Sequence, residues 1–301
     1  MSKNKDNNLV PRITGLLILE VRKSNPNGDP ERESSPRQRP DGKGEISPVS
    51  VKRKLRDLVL EKEGVVWQQA RKDLGITDDT KFQILEDRNL ERATIRKQLE
   101  SDFEGFKSTY WDARLFGNTF LEEAGPDTMR AGVAHFGVGV SVAPIEIEFS
   151  TWTKKAPAEA GKTRGMAPMA FRVVKHGVYA VPFFINPNLA HKTGCTDLDI
   201  KLMLYLLSQT YKANISVIRT MVDVVHAHVF THKNPLGSVS DFALIDALTP
   251  KKKNDADKPS ESLADYDIPT WESIQNKTIR EGTKKTFTEC GQYQDRALPS
   301  E

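Results

Sequence analysis

The spacing of apolar positions changes repeatedly along this chain, and each change predicts an element. From Ile13, the run Leu16-Leu17-Ile18-Leu19-Glu20-Val21 is short and continuous, the pattern of a buried strand rather than a helix of ordinary length. It ends at Asn25-Pro26-Asn27-Gly28-Asp29-Pro30, where two prolines lack amide donors and Asn-Gly readily takes positive φ. A helix begins after Ser47, a good N-cap, with Pro48 at the first position and Val51, Leu55, Leu58 and Val59 at i, i+4, i+7 and i+8. Residues 64–101 form a polar connector, read as a mostly helical insertion because 88–99 is charged with few apolar residues. Phe106, Tyr110, Trp111, Leu115 and Phe116 recur at helical spacing as a core face, and Gly117 ends that helix.

From residue 131 the period becomes two. Val138, Val140 and Val142 alternate with glycine and serine, and Ile145, Ile147 and Phe149 alternate with glutamates, predicting a half-buried strand pair across Pro144. Glycines 132, 137 and 139 are read as points of close backbone approach in preference to a phosphate cradle. Residues 150–168, with two prolines, two glycines and several cations, cannot be core and predict an exposed hairpin. A strand over 171–185, a turn at Asn186-Pro187-Asn188 and a helix opened by Thr196, with Asp199 as capping-box partner, follow. Leu198, Leu202, Tyr205 and Leu206 are its buried stripe, and residues 222–230 alternate as a last strand.

The order in outline is βαββαβ, an α+β chain of ferredoxin-like or RNA-recognition-motif type. Residues 1–250 are expected to be one domain, with a helical insertion at 64–130 and the hairpin at 150–168. A polar tail, 251–301, starts with linker composition and holds one short apolar cluster, Ile268, Trp271 and Ile274 with Pro269 just inside its start, which is expected to dock back.

Charge alters this picture through its distribution. The chain carries 44 Lys and Arg against 41 Asp and Glu, a net charge of only +3, yet residues 1–60 hold 13 basic and 8 acidic side chains, and 150–192 hold 7 against 1. Such local surpluses on a near-neutral chain point to a localised anionic partner. In the basic helix Lys52 and Arg56 share one flank, with Arg53 beside them and Lys54 across the apolar stripe. Cations one turn apart are separated by about 5.4 Å, roughly the spacing of successive phosphates. Arg32, Arg37, Arg39 and Lys43 precede them in a polar loop.

These segments, read together, resemble the repeated backbone subunit of type I CRISPR Cascade surveillance complexes. The resemblance rests on Asn25-Pro26-Asn27-Gly28-Asp29-Pro30 followed by Lys52-Arg53-Lys54-Leu55-Arg56, and on Trp111-Asp112-Ala113-Arg114-Leu115-Phe116-Gly117. Gly177-Val178-Tyr179 with Phe184-Ile185, and Val229-Phe230-Thr231-His232 with Leu236-Gly237, extend it. It spans residues 13–250 and is nearest to the subtype I-C and I-B members. It implies a ferredoxin-like palm, a thumb hairpin at 150–168, and a non-catalytic subunit that polymerises along a CRISPR guide RNA as a helical filament. A DNA target is then recognised by base pairing. The partners implied are the subunit capping the guide's 5′ handle, the large and small subunits, and a recruited helicase-nuclease. RNA-binding residues expected on this basis are Asn25, Asn27, Arg37, Arg39, Lys52, Arg53 and Arg56, with Lys154, Lys155, Lys162, Arg164 and Arg172 on the thumb side. Where relatives carry T-M-G-R-K-H, this chain has Ala167-Pro168-Met169-Ala170-Phe171-Arg172, so only Arg172 and Lys175 remain cationic there.

Other chemistries find less support. Ala160-Gly161-Lys162-Thr163 lacks the first glycine of a P-loop, alanine standing at 156, and neither G-x-S-x-G nor a strand-to-helix G-x-G-x-x-G occurs. His226, His228 and His232 alternate on a strand, but no cysteine joins them, and an exposed strand face is the simpler reading, so no metal or cofactor is expected. The enzyme alternative is a type III kind of subunit cutting RNA with metal at Asp29. A general RNA-recognition-motif module is disfavoured by its missing aromatic signature. Cys195 and Cys290 form neither a disulfide framework nor a C-x-x-C motif, and no signal sequence or membrane-length apolar run is present, so a cytoplasmic protein is expected.

Overall fold

Alternate residues of the first apolar run enter two different cores, and the sheet is organised around that division. The computed structural model describes residues 10–87, 91–117, 131–155, 166–279 and 285–297. In chain order it begins with β1 (Ile13–Ser24), the short pair β2 (Gly28–Asp29) and β3 (Ser35–Pro36), and β4 (Lys43–Ile46). Helices α1 (Pro48–Leu60), α2 (Val65–Asp73), α3 (Arg92–Ser101), α4 (Phe103–Thr109) and α5 (Trp111–Phe116) come next. Strands β5 (Ala134–Phe136), β6 (Gly139–Pro144), β7 (Ile147–Lys155) and β8 (Met166–Ile185) precede α6 (Ala190–Thr193), α7 (Asp197–Leu206) and β9 (Val222–His232). The C-terminal part adds α8 (Asp241–Leu248), β10 (Lys251–Lys252), β11 (Tyr266–Asp267), α9 (Trp271–Ile274), α10 (Phe287–Cys290) and β12 (Gly291–Asp295).

The main sheet runs β12–β9–β1–β8–β6–β4, and its paired strands are antiparallel. Leu17, Leu19 and Val21 of β1 enter a core shared with Leu55 and Val59 of α1, Trp67 of α2, Trp111 of α5 and Leu202 of α7. Leu16 and Ile18 enter a second core with Phe230, Leu244, Leu248, Ile274 and Phe287. A strand covered on both faces needs an unbroken apolar run, which is what β1 has. The helices start where the sequence places them. Ser50 N–H donates to the Ser47 hydroxyl at 3.3 Å, and Thr196 and Asp199 form the reciprocal capping box of α7.

Several expectations change. The aromatic segment is two helices, α4 and α5, because Tyr110 is extended and bridges to Gln83. The strands on either side of Pro144 do not pair with each other, since the 20-residue β8 takes β7 along residues 166–174 and β6 at 179–180. In β6 the buried positions are Gly139, Ser141 and Ala143, with the valines half-buried. A Cβ at Gly139 would stand 2.6 Å from Val181, so close approach does explain that glycine. The tail beyond residue 250 folds as a layer over the second core. Ile274, Phe287 and Cys290 are buried there, with Trp271 and Ile268 packed against them. Sparse apolar residues suffice because the sheet supplies the opposite surface. No helix among the described residues is long and apolar enough to cross a membrane.

Candidate nucleic-acid interface

The loop from β1 to α1 is clipped into a fixed shape by its own polar side chains. Asn25, fully buried, donates from Nδ2 to the Ser34 carbonyl at 2.7 Å, while the Arg219 Nε–H donates to the Asn25 carbonyl at 3.1 Å. Asn27 Oδ1 accepts from Ser47 N–H at 2.7 Å, which fastens the loop to the start of α1. Asp29 accepts from Glu31 N–H at 3.2 Å and lies 3.6 Å from the Arg37 guanidinium. It therefore acts as a local cap and an ion-pair partner, as short carboxylates in turns do. Asn25 and Asn27, expected at RNA, are engaged in holding the loop.

This frame presents cations outward. Arg32 and Arg39 are exposed, and Arg37, Lys43 and Lys52 are half-buried. Arg39 has Asp41 3.7 Å away, a weak surface pair. Lys52 extends over the Phe116 ring, with its ammonium 5.3 Å from the centroid. Burial first, and then the Arg56 charge, lower its pKa. His135 of β5 keeps part of its surface open to solvent, while partial burial of the ring first, and then the Lys52 charge, lower its pKa. From the sequence His135 is only an isolated titratable group, because it is far from Lys52 in the chain and has no motif of its own.

The expected row of cations along α1 is broken by the fold. Arg56 is 2% exposed; its Nε donates to Asp112 Oδ2 at 2.8 Å, and its Nη2 lies 2.9 Å from Glu86 Oε1. Asp112 in turn accepts from Leu85 N–H at 2.7 Å and Glu86 N–H at 3.2 Å. Lys54 is also buried, hydrogen-bonded to the Ser50 hydroxyl at 2.8 Å and facing the Tyr211 ring, and burial pushes its pKa down to about 7. Arg53 donates to the Glu86 carbonyl at 2.9 Å and pairs with Asp57. Helix α1 packs against the sheet on one side and the helical insertion on the other, so its wheel has a narrower solvent face than a two-layer reading allows. Among the described residues Lys52 and Lys54 have no ion pair, and of these two Lys54 is buried whereas Lys52 reaches the surface.

On the hairpin side, β7 and β8 pair from Ile147↔Val174 to Lys155↔Met166. Arg172 pairs with Glu33, and its guanidinium lies 5.4 Å from the Phe149 ring, so it joins the hairpin base to the loop. Phe149 is 74% exposed. The backbone of Lys154 and Lys155 lies in β7, whereas Lys162 and Arg164 fall outside the described residues.

The three strand histidines are not an exposed face. His228 and His232 are buried and His226 half-buried, because β12 pairs with β9 and the C-terminal layer covers this side. Burial lowers the pKa of His228 to about 4.

Comparison with known proteins adds the following. The family model of CRISPR-associated protein Cas7 matches residues 11–270. A CRISPR-associated protein Cas7 from Haloferax volcanii is 24% identical over 206 residues, covering 62% of this chain. That match spans only 60% of the relative's own length. Among solved structures, a CRISPR RNA-guided surveillance complex in a pre-nicking form aligns at 16% identity, with a TM-score of 0.47 and 74% and 79% of the two chains covered. A second CRISPR RNA-guided surveillance complex gives 18% identity, a TM-score of 0.41, and coverage of 79% and 75%. A type III-B Cmr-beta complex bound to cognate target RNA gives 12%, a TM-score of 0.37, and coverage of 73% and 61%.

Proposed function

The chain belongs to the family of CRISPR-associated protein Cas7, and from that premise we propose that it is a guide-RNA-binding backbone subunit that polymerises along the guide. The family match over residues 11–270 carries the reading, and the clipped basic loop beside Lys52 gives it a surface. The strand order β9–β1–β8–β6, with α1 between β1 and β6 and α7 between β8 and β9, supports the ferredoxin-like outline expected from the sequence. Guide phosphates are taken by Lys52, Arg37 and Arg39, with Arg172 and the hairpin lysines and arginine Lys154, Lys155, Lys162 and Arg164 on the other side. Arg53, Arg56, Asn25 and Asn27 act by holding that surface in place. Such contacts neutralise backbone charge without reading bases, so binding is sequence-tolerant and salt-dependent.

In this reading the subunit presents the guide for pairing with a DNA target, works in the cytoplasm with the cap, large and small subunits of a type I complex, and leaves degradation to a helicase-nuclease. Asp29 has a positioning role, because its carboxylate is occupied by Glu31 N–H and Arg37. The experiment is co-expression with a guide RNA. Wild type should elute as a ladder on RNA of uniform length, and Lys52→Glu with Arg39→Glu should elute as folded protein without RNA. Undiminished RNA retention by that double variant rejects the assignment. Regularly spaced cleavage of matched target RNA with magnesium or manganese, lost in Asp29→Ala, would overturn the non-catalytic part.

A further inference from the structure

The sheet face beneath the C-terminal layer carries a second group of side chains, remote in character from the basic loop. His226 and His228 stand at alternate positions of β9, and Asp295 of β12 pairs opposite His228. Among the described residues these three are the group of His, Cys, Asp and Glu side chains whose ligand-type atoms, one from each, all lie within 4.8 Å of one another. His226 Nδ1 is hydrogen-bonded to Asp295 Oδ2, and Asp295 Oδ1 is fixed by N–H donors of Ala227 at 2.9 Å and Ala297 at 3.0 Å. The two imidazoles stack with centroids 4.8 Å apart.

His228 has one nitrogen to spare. Its Nδ1 is 2.7 Å from the Tyr293 hydroxyl, while Nε2 is buried with no hydrogen-bond partner. An orphaned buried N–H is costlier than an under-used lone pair, so the tautomer with the proton on Nδ1, donated to Tyr293, is favoured. The Nε2 lone pair is then free. An imidazole held at one nitrogen by a hydrogen bond and bare at the other is the usual state of a metal ligand, and Tyr293 occupies the place of the outer partner.

We propose that His226, His228 and Asp295 bind a divalent transition-metal ion of the zinc class, which clips the edge strand β12 to β9. Two imidazoles and one carboxylate match the nitrogen and oxygen ligands that zinc takes at about 2.0 Å, whereas magnesium and calcium would require an oxygen-rich set. Ligands around a tetrahedral zinc are about 3.3 Å apart, so the atoms must close in from their present separations. Half-buried His226 has the freedom to turn, while Asp295 is held by its backbone bonds. The ion takes the place of the hydrogen between His226 Nδ1 and Asp295, the neutral imidazole then carrying its one proton on Nε2, and water fills the fourth position. This site is independent of the RNA-binding reading.

The test is titration of the purified full chain, stripped with chelator, with Zn2+ and with Co2+. Expected are 1:1 saturable binding of Zn2+ by calorimetry, visible Co2+ bands of low-coordinate type, and slower proteolysis of the C-terminal layer with zinc. His226→Gln and Asp295→Asn should weaken binding by more than about 100-fold, and Tyr293→Phe by a smaller factor, about 10- to 100-fold. His135→Gln, which alters an exposed histidine elsewhere, should bind as wild type. If the buried-site variants fail to fold, X-ray absorption on zinc-loaded wild type decides, and two imidazoles among the ligands are expected. Absence of saturable binding, undiminished binding in His226→Gln, or a zinc shell without two imidazoles overturns the site.

Discussion

Reversing the charge of Arg56 should unfold the protein rather than merely release RNA. The Arg56 guanidinium is 3% exposed, pairs with Asp112 and Glu86, and lies 5.0 Å from the centroid of the Phe116 ring. Removing one partner of a buried ion pair costs about 3–5 kcal/mol, because the other charge is left desolvated. Arg56→Glu does more, placing a third carboxylate beside Asp112 and Glu86. At an effective dielectric of 20, like charges about 4 Å apart repel by roughly 4 kcal/mol, although protonation of one carboxylate relieves part of this. The sum rivals a whole domain's stability of about 5–15 kcal/mol. Urea unfolding followed by tryptophan fluorescence suits the question, because Trp67 and Trp111 lie in the adjoining core. With an m-value of about 3 kcal/mol/M, Arg56→Met should lower the midpoint by about 1 M or more, and Arg56→Glu should leave little folded protein at any urea concentration. Arg56→Met with Asp112→Asn, which removes the stranded charge and keeps an acceptor for the Leu85 and Glu86 N–H groups, should recover part of the loss. Lys52→Glu should unfold like wild type. An Arg56→Glu protein with an unchanged midpoint and no RNA binding would falsify the internal role and restore the continuous cationic row.

Three further outcomes follow from the same kind of accounting. Arg114 places all five donors, two on Asp199 at 2.7 and 3.0 Å and three on the carbonyls of Lys81, Lys107 and Ser108 at 2.8 Å, so Arg114→Ala should cost about 3–5 kcal/mol in denaturant titration; a loss under 1 kcal/mol contradicts that. A Cβ at Gly15 would stand 2.0 Å from the Phe183 ring, and Gly15→Ala should destabilise by at least about 1–3 kcal/mol, relieved when combined with Phe183→Leu; additive effects of the two changes would count against the clash. Lys54, with a folded pKa of about 7 against 10.5, lets the unfolded state bind more protons between those values. Its contribution is therefore fully present above pH 10.5 and lost as pH falls through 7, so stability relative to Lys54→Met should rise from pH 7 toward 10, and parallel profiles for the two proteins refute this.

What could be read from the sequence was what neighbouring residues decide among themselves. The β1 run, the Ser47 and Thr196 caps and the stop at Gly117 depend on groups within a few positions, and the structure places them as expected. The fate of each cation on α1 does not. Arg56 is claimed by Asp112, 56 residues away, and no periodicity in either segment announces that pairing. Of the tail only the docking of Ile268, Trp271 and Ile274 was legible, since its few aliphatics become a core only against Phe230 and Leu16 of a sheet already formed.

The segment Trp111 to Gly117 joins these two kinds of information. It served first as a family resemblance, and its side chains also hold other elements of the fold together. Trp111 donates to the Asp199 carbonyl at 3.2 Å, Asp112 holds Arg56 of α1, and Arg114 holds Asp199 of α7. This short helix thereby fixes α1 and α7, which share one face of the sheet, with buried charges on each side. Removing any member strands a partner in low dielectric, a penalty that hydrophobic packing alone would not impose. The same clamp sets where Lys52 emerges, because α1 cannot rotate without breaking Arg56 from Asp112. Motif and cationic surface are thus linked mechanically: the first need not bind RNA to determine whether the second can.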